Sequence, residues 1–504
     1  MSIIRYTASA DTTITNAYEA NLVTRGTGSN MGYADSLEVF SIYGQESGSM
    51  GQSQELSRIL IQFPITTIAA NRAAGTLPAS GSVSFCLKMA NAEHPFTLPQ
   101  DFNLIVAPVS SSWREGAGLD MDEYKDLGQA NWGMADSSTA WTNQGGDYLT
   151  ASNYNVHFAQ GYEDISLDVS EIVERWLTDG NEFTNYGFGI HLTASQEAYA
   201  LSAGANGTIQ NLDGATQSYY TKKFFARSTE FFYKRPAIEA RWNSSTKDDR
   251  ENFYFSSSLA PAADNLNNLC LYNYIRGNLV NIPAVGVNEL RVSFYSSSFG
   301  TPTGSKLSLP AGGGVVSSGD TNATASYTSM GLYSVSLALT AASTPLLEIH
   351  DVWHSGGVEF FTGSFYPELL PTYDSAPTFD RITSCKNLKK KYSTQDKARF
   401  RFFVRDRNWS PTVYNVAKAN NPTDIIESAS YAIYRTTDNY AAIAYGTGSD
   451  LCSLMSYDKE GNYFDLDISL LEPDYMYEIR LSYYNDSIGD WQEQPQTFKF
   501  RVEE

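Results

Sequence analysis

The segment GLDMDEYKDLG, residues 118–128, spaces its carboxylates in a way that suits a hard cation. Asp120, Asp122 and Asp126, with Glu123 between them, offer the oxygen ligands that Ca²⁺ prefers. The segment differs from an EF-hand loop, because it has no glycine at the sixth position and no glutamate at the twelfth. Two interpretations stay open, a calcium site or a solvated acidic loop, and we predict no other cofactor.

The sequence HDVWH places His350 and His354 four residues apart, which on a helix would suit a metal ion. The flanking residues predict a strand instead, where this spacing separates the rings by roughly 13 Å. The chain also contains no GxSxG elbow, P-loop or HExxH motif. We therefore predict a protein that is not an enzyme.

Residues 386–407 are rich in lysine and arginine. In ARFRFFVR the arginines alternate with apolar residues, which predicts a strand with one charged face. That face is either simply solvated or a basic patch that docks an acidic neighbouring subunit. The residues expected in such a contact are Lys389, Lys390, Lys391, Arg399, Arg401 and Arg405.

Three aromatic residues, Trp132, Trp141 and Tyr148, lie in a stretch that predicts loops. Exposed aromatic rings in such loops can stack on sugar rings, so these residues are candidates for glycan contact. The alternative is that they pack in the core or at its rim.

The elements that position these residues are predicted to be strands. Tyrosine is abundant (33 residues) and only 18% of the residues are charged, which suits half-buried pleated surfaces joined by turns. Apolar and polar residues alternate in four clear segments, which predicts antiparallel strands with one face in solvent. These segments are SRILIQF (57–63), SVSFCLKM (82–89), ARFRFFV (398–404) and MYEIRLSYY (476–484).

Residues 167–180, LDVSEIVERWLTDG, carry the one clear helical pattern. Asp168 and Glu171 form a D-x-x-E start that can cap backbone N–H groups reciprocally, and Asp179-Gly180 can end the helix. We predict a short helix that closes the open end of a sandwich and holds no active site. Its apolar face comprises Ile172, Val173, Trp176 and Leu177.

The charge and composition exclude several classes of partner. The net charge of the 504-residue chain is −21, which disfavours nucleic acid as the main partner. No apolar run approaches the ~20 residues that span a bilayer, and the first residues lack the features of a secretory signal. The isolated cysteines Cys86, Cys270, Cys385 and Cys452 predict buried free thiols.

Breaks in composition divide the chain into three predicted domains, residues 1–243, 244–372 and 373–504. The polar segment STKDDREN marks the first boundary, and Pro367, Pro371 and Pro377 mark the second. The predicted class is all-β.

Eight segments of the first domain carry motifs that occur in a recognisable order. They are SADTTI (9–14), SNMGYADSLEV (29–39), SRILIQFPI (57–65), GSVSFCLKM (81–89), VAPVSSSWREG (106–116), STAWTN (138–143), DISLDVSEIVERWLTDG (164–180) and NYGFGIHL (185–192). Together they resemble the DNRLRE-type family. The resemblance implies a jelly-roll-like β-sandwich with one short helix, associated with surface adhesion or carbohydrate binding.

The two remaining domains resemble immunoglobulin-like and fibronectin-type sandwiches. In LLEPDYMYEIRLSYY, Leu471, Pro473 and Tyr477 match the tyrosine-corner turn, where the hydroxyl binds back to the turn backbone. The segment GLYSVSLAL, residues 331–339, is a looser match. We therefore expect two Ig-like β-sandwiches after the first domain.

Further segments extend a resemblance along the whole chain. They are YYTKKFFAR, EFFYKRPAIEARW, SSTKDDRENFYFSSSLA, SLLEPDYMYEIRL and QPQTFKFRVE. With them the chain resembles virion structural proteins of marine T4-like tailed phages of the cyanophage type. This resemblance implies a non-enzymatic head, neck or tail component that is assembled in the host cytoplasm. Its expected partners are other virion proteins and copies of itself, with no direct nucleic acid and no membrane. The alternative is a carbohydrate-binding adhesin that contacts host surface glycans.

Overall fold

The chain forms two compact units, residues 2–242 and residues 243–504. Strands prevail in both units, and the predicted all-β, sandwich-like fold is confirmed. None of the described helices is long and apolar enough to cross a membrane. The computed structural model describes residues 2–19, 24, 26–43, 54–93, 99–119, 129–178, 183–197, 219–261, 264–296, 306–307, 322–341, 346–369, 381–409, 423–448, 452–485 and 488–504.

The first unit contains two antiparallel sheets. One has the strand order β1-β11-β5-β8, and the other has the order β10-β3-β4-β9-β6-β7, with β2 also paired to β4. The strands are β1 (Ser2–Thr7), β2 (Ala10–Thr15), β3 (Ser36–Tyr43), β4 (Gln54–Gln62), β5 (Ser84–Met89), β6 (Phe102–Pro108), β7 (Tyr154–Phe158), β8 (Ile165–Asp168), β9 (Phe188–Leu192), β10 (Tyr219–Phe225) and β11 (Ala237–Trp242). The helices are α1 (Ile65–Ala73) and α2 (Ser170–Thr178).

The core of this unit lies between the two sheets. Ile59 and Ile61 of β4 pack in one apolar cluster with Phe85 and Leu87 of β5, which makes the unit a sandwich. The expectation that β4 has one face in solvent is wrong. Its opposite face is covered as well, because Leu60 packs in a second cluster with three tryptophans, Trp113, Trp132 and Trp141.

Helix α2 is found where the sequence predicts it, and Ile172, Val173 and Trp176 are buried in the core. Its capping differs from the prediction, since the Asp168 carboxylate accepts from the Ser170 N–H at 2.9 Å and not from Glu171. The predicted end at Asp179-Gly180 lies outside the described residues. The predicted strand NYGFGIHL follows as β9.

The expectation of a single short helix is wrong, because α1 precedes β5. Its sequence, ITTIAANRA, begins with four β-branched residues, which are weak helix formers, and only Ile65 and Ile68 are buried. Tertiary contacts supply what the sequence lacks: the Arg72 guanidinium binds the Glu174 carboxylate of α2 at 2.6 and 2.7 Å. The two helices therefore pack against each other beside the sandwich.

The second unit begins with a six-stranded sheet of order β13-β18-β17-β16-β19-β20. Strand β17 pairs with β16 through its first residues, such as Ala323, and with β18 through its last, such as Tyr327. This switch folds the sheet into two halves around one core that contains Tyr333 and Trp353. The strands are β12 (Tyr254–Phe255), β13 (Asn267–Tyr272), β14 (Tyr274–Ile275), β15 (Asn278–Leu279), β16 (Leu290–Tyr295), β17 (Asn322–Ser329), β18 (Leu332–Leu337), β19 (Ile349–Ser355), β20 (Val358–Phe365) and β21 (Glu368–Leu369).

Residues 381–504 complete this unit with a four-stranded sheet, β22-β24-β28-β27, and a six-stranded sheet, β23-β31-β29-β25-β26 with β30 paired to β29. The rings of Tyr431 and Phe464 stack across the two sheets with centroids 3.7 Å apart. A domain boundary at residue 372 stays a prediction. The strands are β22 (Arg381–Cys385), β23 (Lys391–Ser393), β24 (Lys397–Asp406), β25 (Ala429–Arg435), β26 (Tyr440–Ile443), β27 (Ser456–Asp458), β28 (Gly461–Asp467), β29 (Met476–Asn485), β30 (Asp490–Glu493) and β31 (Phe498–Glu503).

The predicted tyrosine corner is confirmed, because the Tyr477 hydroxyl donates to the Glu472 carbonyl at 2.9 Å. The looser match at Tyr333 is not a tyrosine corner. Its hydroxyl donates to the carbonyl of Gly286, a residue 47 positions away, at 2.6 Å. All four cysteines are free, and Cys385 is half-buried while the other three are buried.

Candidate functional site

The predicted calcium ligands Asp120, Asp122 and Asp126 lie outside the described residues. Among the residues that are described, no group of three or more histidine, cysteine, aspartate or glutamate side chains is placed to hold a metal ion. His350 and His354 lie on β19, as the strand prediction requires. His354 contacts the Ser293 hydroxyl at 2.7 Å, which fixes its ring on the neighbouring strand.

Of the two interpretations of Trp132 and Trp141, packing in the core is the one that the structure shows, and their exposure for glycan contact is not found. Trp132 is 0% exposed and Trp141 is 5% exposed, so neither indole presents a face to a sugar ring. The Trp141 indole N–H donates to the Asn131 carbonyl at 2.8 Å. Both rings pack on the outer face of the seven-stranded sheet, and the loop that carries them is part of the fold.

Tyr148, the third predicted glycan contact, is half-buried and fixed by its surroundings. Its hydroxyl donates to the Gly145 carbonyl at 2.6 Å, and its ring lies against His191 at a centroid distance of 5.0 Å. Burial, together with the smaller effect of the Arg58 guanidinium, lowers the pKa of His191 to about 3, so the imidazole stays neutral. Glycan contact by Tyr148 stays a prediction.

Arg58 organises the loop that carries these aromatics. Its guanidinium lies 5.5 Å from the Trp132 ring centroid and binds the Glu197 carboxylate at 2.7 Å. Both charged side chains are almost fully buried, which makes their pairing necessary. The cluster has a structural role, and it could not be predicted from the sequence because its members are far apart along the chain.

The predicted basic strand is confirmed as β24, and its arginines form one face. Their charges are largely compensated within the chain. Arg399 binds Asp465 on β28 at 2.7 and 2.9 Å, and Arg401 binds Asp458 on β27. Arg405 lies 5.8 Å from the Trp409 ring centroid.

The three predicted lysines of this patch, Lys389, Lys390 and Lys391, are exposed. The Lys391 ammonium pairs with Glu503 at 2.7 Å, at a site where both side chains remain accessible to water. An exposed pair of this kind contributes little to stability, so the lysines remain free to exchange partners. Contact with another subunit through this face stays a prediction.

A surface that the sequence did not reveal lies at one end of the six-stranded sheet of residues 267–365. We call Tyr274, Ile275, Val280 and Met330 the hairpin-end patch; their exposed fractions are 50%, 44%, 37% and 61%. The β14–β15 hairpin and the β17–β18 turn are neighbours, because the Asn273 N–H donates to the carbonyl of Gly331 at 2.8 Å. The patch adjoins the basic face, since the Arg399 guanidinium donates to the Tyr274 hydroxyl at 3.2 Å.

A second apolar surface is strand β20, which lies at the end of the six-stranded sheet. Its sequence is VEFFTGSF, and Val358 and Phe361 are 58% and 39% exposed. Within the described part of the chain, no strand pairs with its outer edge. A long apolar edge with unpaired backbone groups is a template for another strand.

No family model and no curated protein matches the chain. Similar solved structures include trypsin-activated alpha-2-macroglobulin from Escherichia coli, with 10% identity over 82% of this chain and 29% of that chain and a TM-score of 0.16. The native conformation of the E. coli protein is 8% identical over 99% of this chain and 28% of that chain, with a TM-score of 0.15. Salmonella alpha-2-macroglobulin reacted with methylamine is 10% identical over 99% of this chain and 34% of that chain, with a TM-score of 0.14.

This chain thus spans between 28% and 34% of the length of those proteins. TM-scores in this range carry no inference about the fold or the function of the chain.

Proposed function

We propose that the protein is a non-enzymatic structural component of a tailed-phage virion, an accessory head, neck or tail protein that acts through contacts between subunits. The end-to-end resemblance of the sequence to virion structural proteins of marine T4-like phages supports this proposal. The buried ion pairs Arg58–Glu197 and Arg250–Asp351 hold segments of the sandwiches together, as a structural role requires. The N-terminal sandwich is then a DNRLRE-like domain whose tryptophans stabilise a loop.

The observation that carries the proposal is the free edge of β20. A sandwich that works alone in solution usually blunts such an edge with charges, proline or a covering loop. Here the strand of eight residues carries one exposed charge, Glu359, and leaves Val358 and Phe361 exposed beside it. The simplest occupant is β20 of a second copy, paired antiparallel about a two-fold axis so that the two sheets become continuous.

The hairpin-end patch gives the subunit a second contact surface. Exposed apolar groups that lie together mark interaction sites on soluble proteins. Because Arg399 touches the patch, a partner with exposed carboxylates would meet apolar and basic groups side by side. Two separate surfaces allow one subunit to join a copy of itself and another virion protein.

Sedimentation velocity of the purified full-length protein tests the proposal. We expect the wild type to form an oligomer that Val358→Lys dissociates, because a charge on the edge disfavours strand pairing. The control is Ile488→Lys, which changes a side chain that is 63% exposed on the β29–β30 turn. Dissociation by both variants, or by neither, would exclude β20 as the contact.

Electron microscopy of phage particles tests whether the protein is part of the particle and where on the particle it lies. An antibody raised against the purified protein should label intact particles at a symmetric site, and an averaged map should show sandwich-sized density there. The proposed function is wrong if the protein is absent from purified particles.

A further inference from the structure

Lys222 of β10 is a lysine whose side chain is 0% exposed. Its amine donates to the Asn91 side-chain oxygen at 2.7 Å, to the Gly161 carbonyl at 3.0 Å and to the Glu163 carbonyl at 2.7 Å. The rings of Phe158 and Phe224 lie 4.8 and 5.1 Å from the same nitrogen. The amine is therefore enclosed by three oxygens and two aromatic rings.

The backbone fixes Asn91 beside this amine. Residues 90–92 run antiparallel to residues 223–225, with the Phe225 N–H donating to the Ala90 carbonyl and the Ala92 N–H donating to the Lys223 carbonyl, each at 3.0 Å. The Asn91 N–H donates to the Asp164 carboxylate at 2.7 Å. Because Oδ1 of Asn91 contacts Nζ of Lys222, the amide carbon is only one bond away from an atom that touches the amine.

A neutral amine next to a fixed carboxamide is a nucleophile beside an acylating group. Burial lowers the pKa of Lys222 to about 8, although Glu163 and Asp164 oppose this effect. Roughly a tenth of the amine is then neutral at pH 7.

We propose that Lys222 and Asn91 form an intramolecular isopeptide bond. The neutral Nζ attacks Cγ of Asn91, and the bond from Nζ to Cγ forms. The bond from Cγ to Nδ2 then breaks, and Nδ2 leaves as ammonia with a proton that comes from Nζ. The net change converts an ammonium and a carboxamide into a substituted amide and an ammonium ion, with no oxidant or reductant.

The bond would join the two sheets of the first unit. Asn91 follows β5 of the four-stranded sheet, and Lys222 lies on β10, an outer strand of the seven-stranded sheet. The closed loop would contain the chain between two positions 131 residues apart, which restricts the unfolded state strongly. A protein that must hold its shape under load benefits from such a link.

Intact mass spectrometry of the denatured full-length protein gives the first test. The wild type should be lighter than its sequence mass by one ammonia, about 17 Da. Asn91→Ala should have its own sequence mass, whereas Asn103→Ala, a half-buried asparagine on β6, should keep the deficit. Raising the pH from 6 to 9 should accelerate bond formation in newly made protein, because a larger fraction of the amine is then neutral.

Peptide mapping gives the second test, because a succinimide at Asn206-Gly207 would have the same mass deficit. Trypsin should release a branched peptide in which residues 89–114 are attached to the peptide that contains Lys222. The Asn91→Ala variant should also show a lower thermal midpoint than the wild type. If the wild type has its full sequence mass after incubation at pH 9, or yields no branched peptide, Lys222 is a buried ammonium held by three oxygens and the proposal is wrong.

Discussion

The guanidinium of Arg250 forms two hydrogen bonds with the carboxylate of Asp351, at 2.6 and 2.8 Å, inside the second unit. The side chains are 8% and 0% exposed, so both charges are removed from water. The Trp353 indole N–H donates to the same carboxylate at 2.7 Å. The pair thus connects the short 3₁₀ turn at residues 249–251 with β19 and its buried tryptophan.

Replacing Asp351 by Asn should destabilise the second unit by about 3–5 kcal/mol, because Arg250 would be left as an unpaired buried charge. Urea denaturation followed by tryptophan fluorescence measures this change. The control is Asp465→Asn, which breaks the pair with Arg399 where the aspartate is 61% exposed. That change should cost less than about 1 kcal/mol, and equal costs at the two sites would contradict the argument.

Asp248 lies next to this pair and responds to pH. Burial raises the pKa of its carboxyl to about 7; Arg250 opposes this effect and the nearby Asp458 adds to it. The side chain is 2% exposed, and one of its oxygens accepts from the Cys270 N–H at 3.3 Å. The folded protein therefore binds this proton more tightly than the unfolded chain does.

The sign of the pH effect follows from that difference. The stabilisation that protonated Asp248 provides is fully present below the pKa of an unfolded aspartate, about 4, and is lost as the pH rises through 7. The free energy of unfolding should thus decline between pH 4 and 8, and Asp248→Asn should remove a part of that decline worth about 2–4 kcal/mol. Denaturation of both proteins at pH 5 and 8 measures it. A variant that is equally stable relative to the wild type at both pH values would refute the assignment.

Removal of the Tyr477 hydroxyl should lower the stability by less than the changes at Asp351 and Asp248. Tyr477→Phe should cost about 1–2 kcal/mol, because the Glu472 carbonyl would lose its donor inside the turn. Tyr484→Phe, on the same strand β29 but half-buried, should change the stability by less than about 0.5 kcal/mol. Thermal unfolding by calorimetry compares the two variants, and a larger loss at Tyr484 would argue against a tyrosine corner.

Strand β24 shows what the sequence could predict. Its residues alternate strictly, and Phe400, Phe402 and Val404 are all buried as that alternation requires. Helix α2 could be predicted equally well, because its cap and its apolar face lie within a dozen residues of each other. The tyrosine corner at Tyr477 has the same local character. Features that are specified by neighbouring residues could therefore be predicted.

Contacts between residues that are far apart along the chain could not be predicted. The alternation of β4 predicted one wet face, but residues 129–148 fold back and bury Trp132 there. The contact between Lys222 and Asn91 joins residues 131 positions apart, and no pattern in either segment marks it. Helix α1 could not be predicted, because Thr66 and Thr67 disfavour a helix. Its stability depends on the ion pair between Arg72 and Glu174, which are far apart along the chain.

Gly187 marks a close approach between the end of the loop and β4. Its φ of +82° lies in the region that favours glycine, and an added Cβ would lie 2.0 Å from the Ile61 carbonyl oxygen. Gly187→Ala should therefore destabilise the first unit by more than about 3 kcal/mol, since backbone strain and a clash with a strand add together. Gly75→Ala is the matched control, because Gly75 has a φ of +72° but nothing within 4 Å of the added Cβ. Strain alone should cost about 1–2 kcal/mol there. Equal losses in urea denaturation would show that strain, and not the approach to Ile61, requires glycine at residue 187.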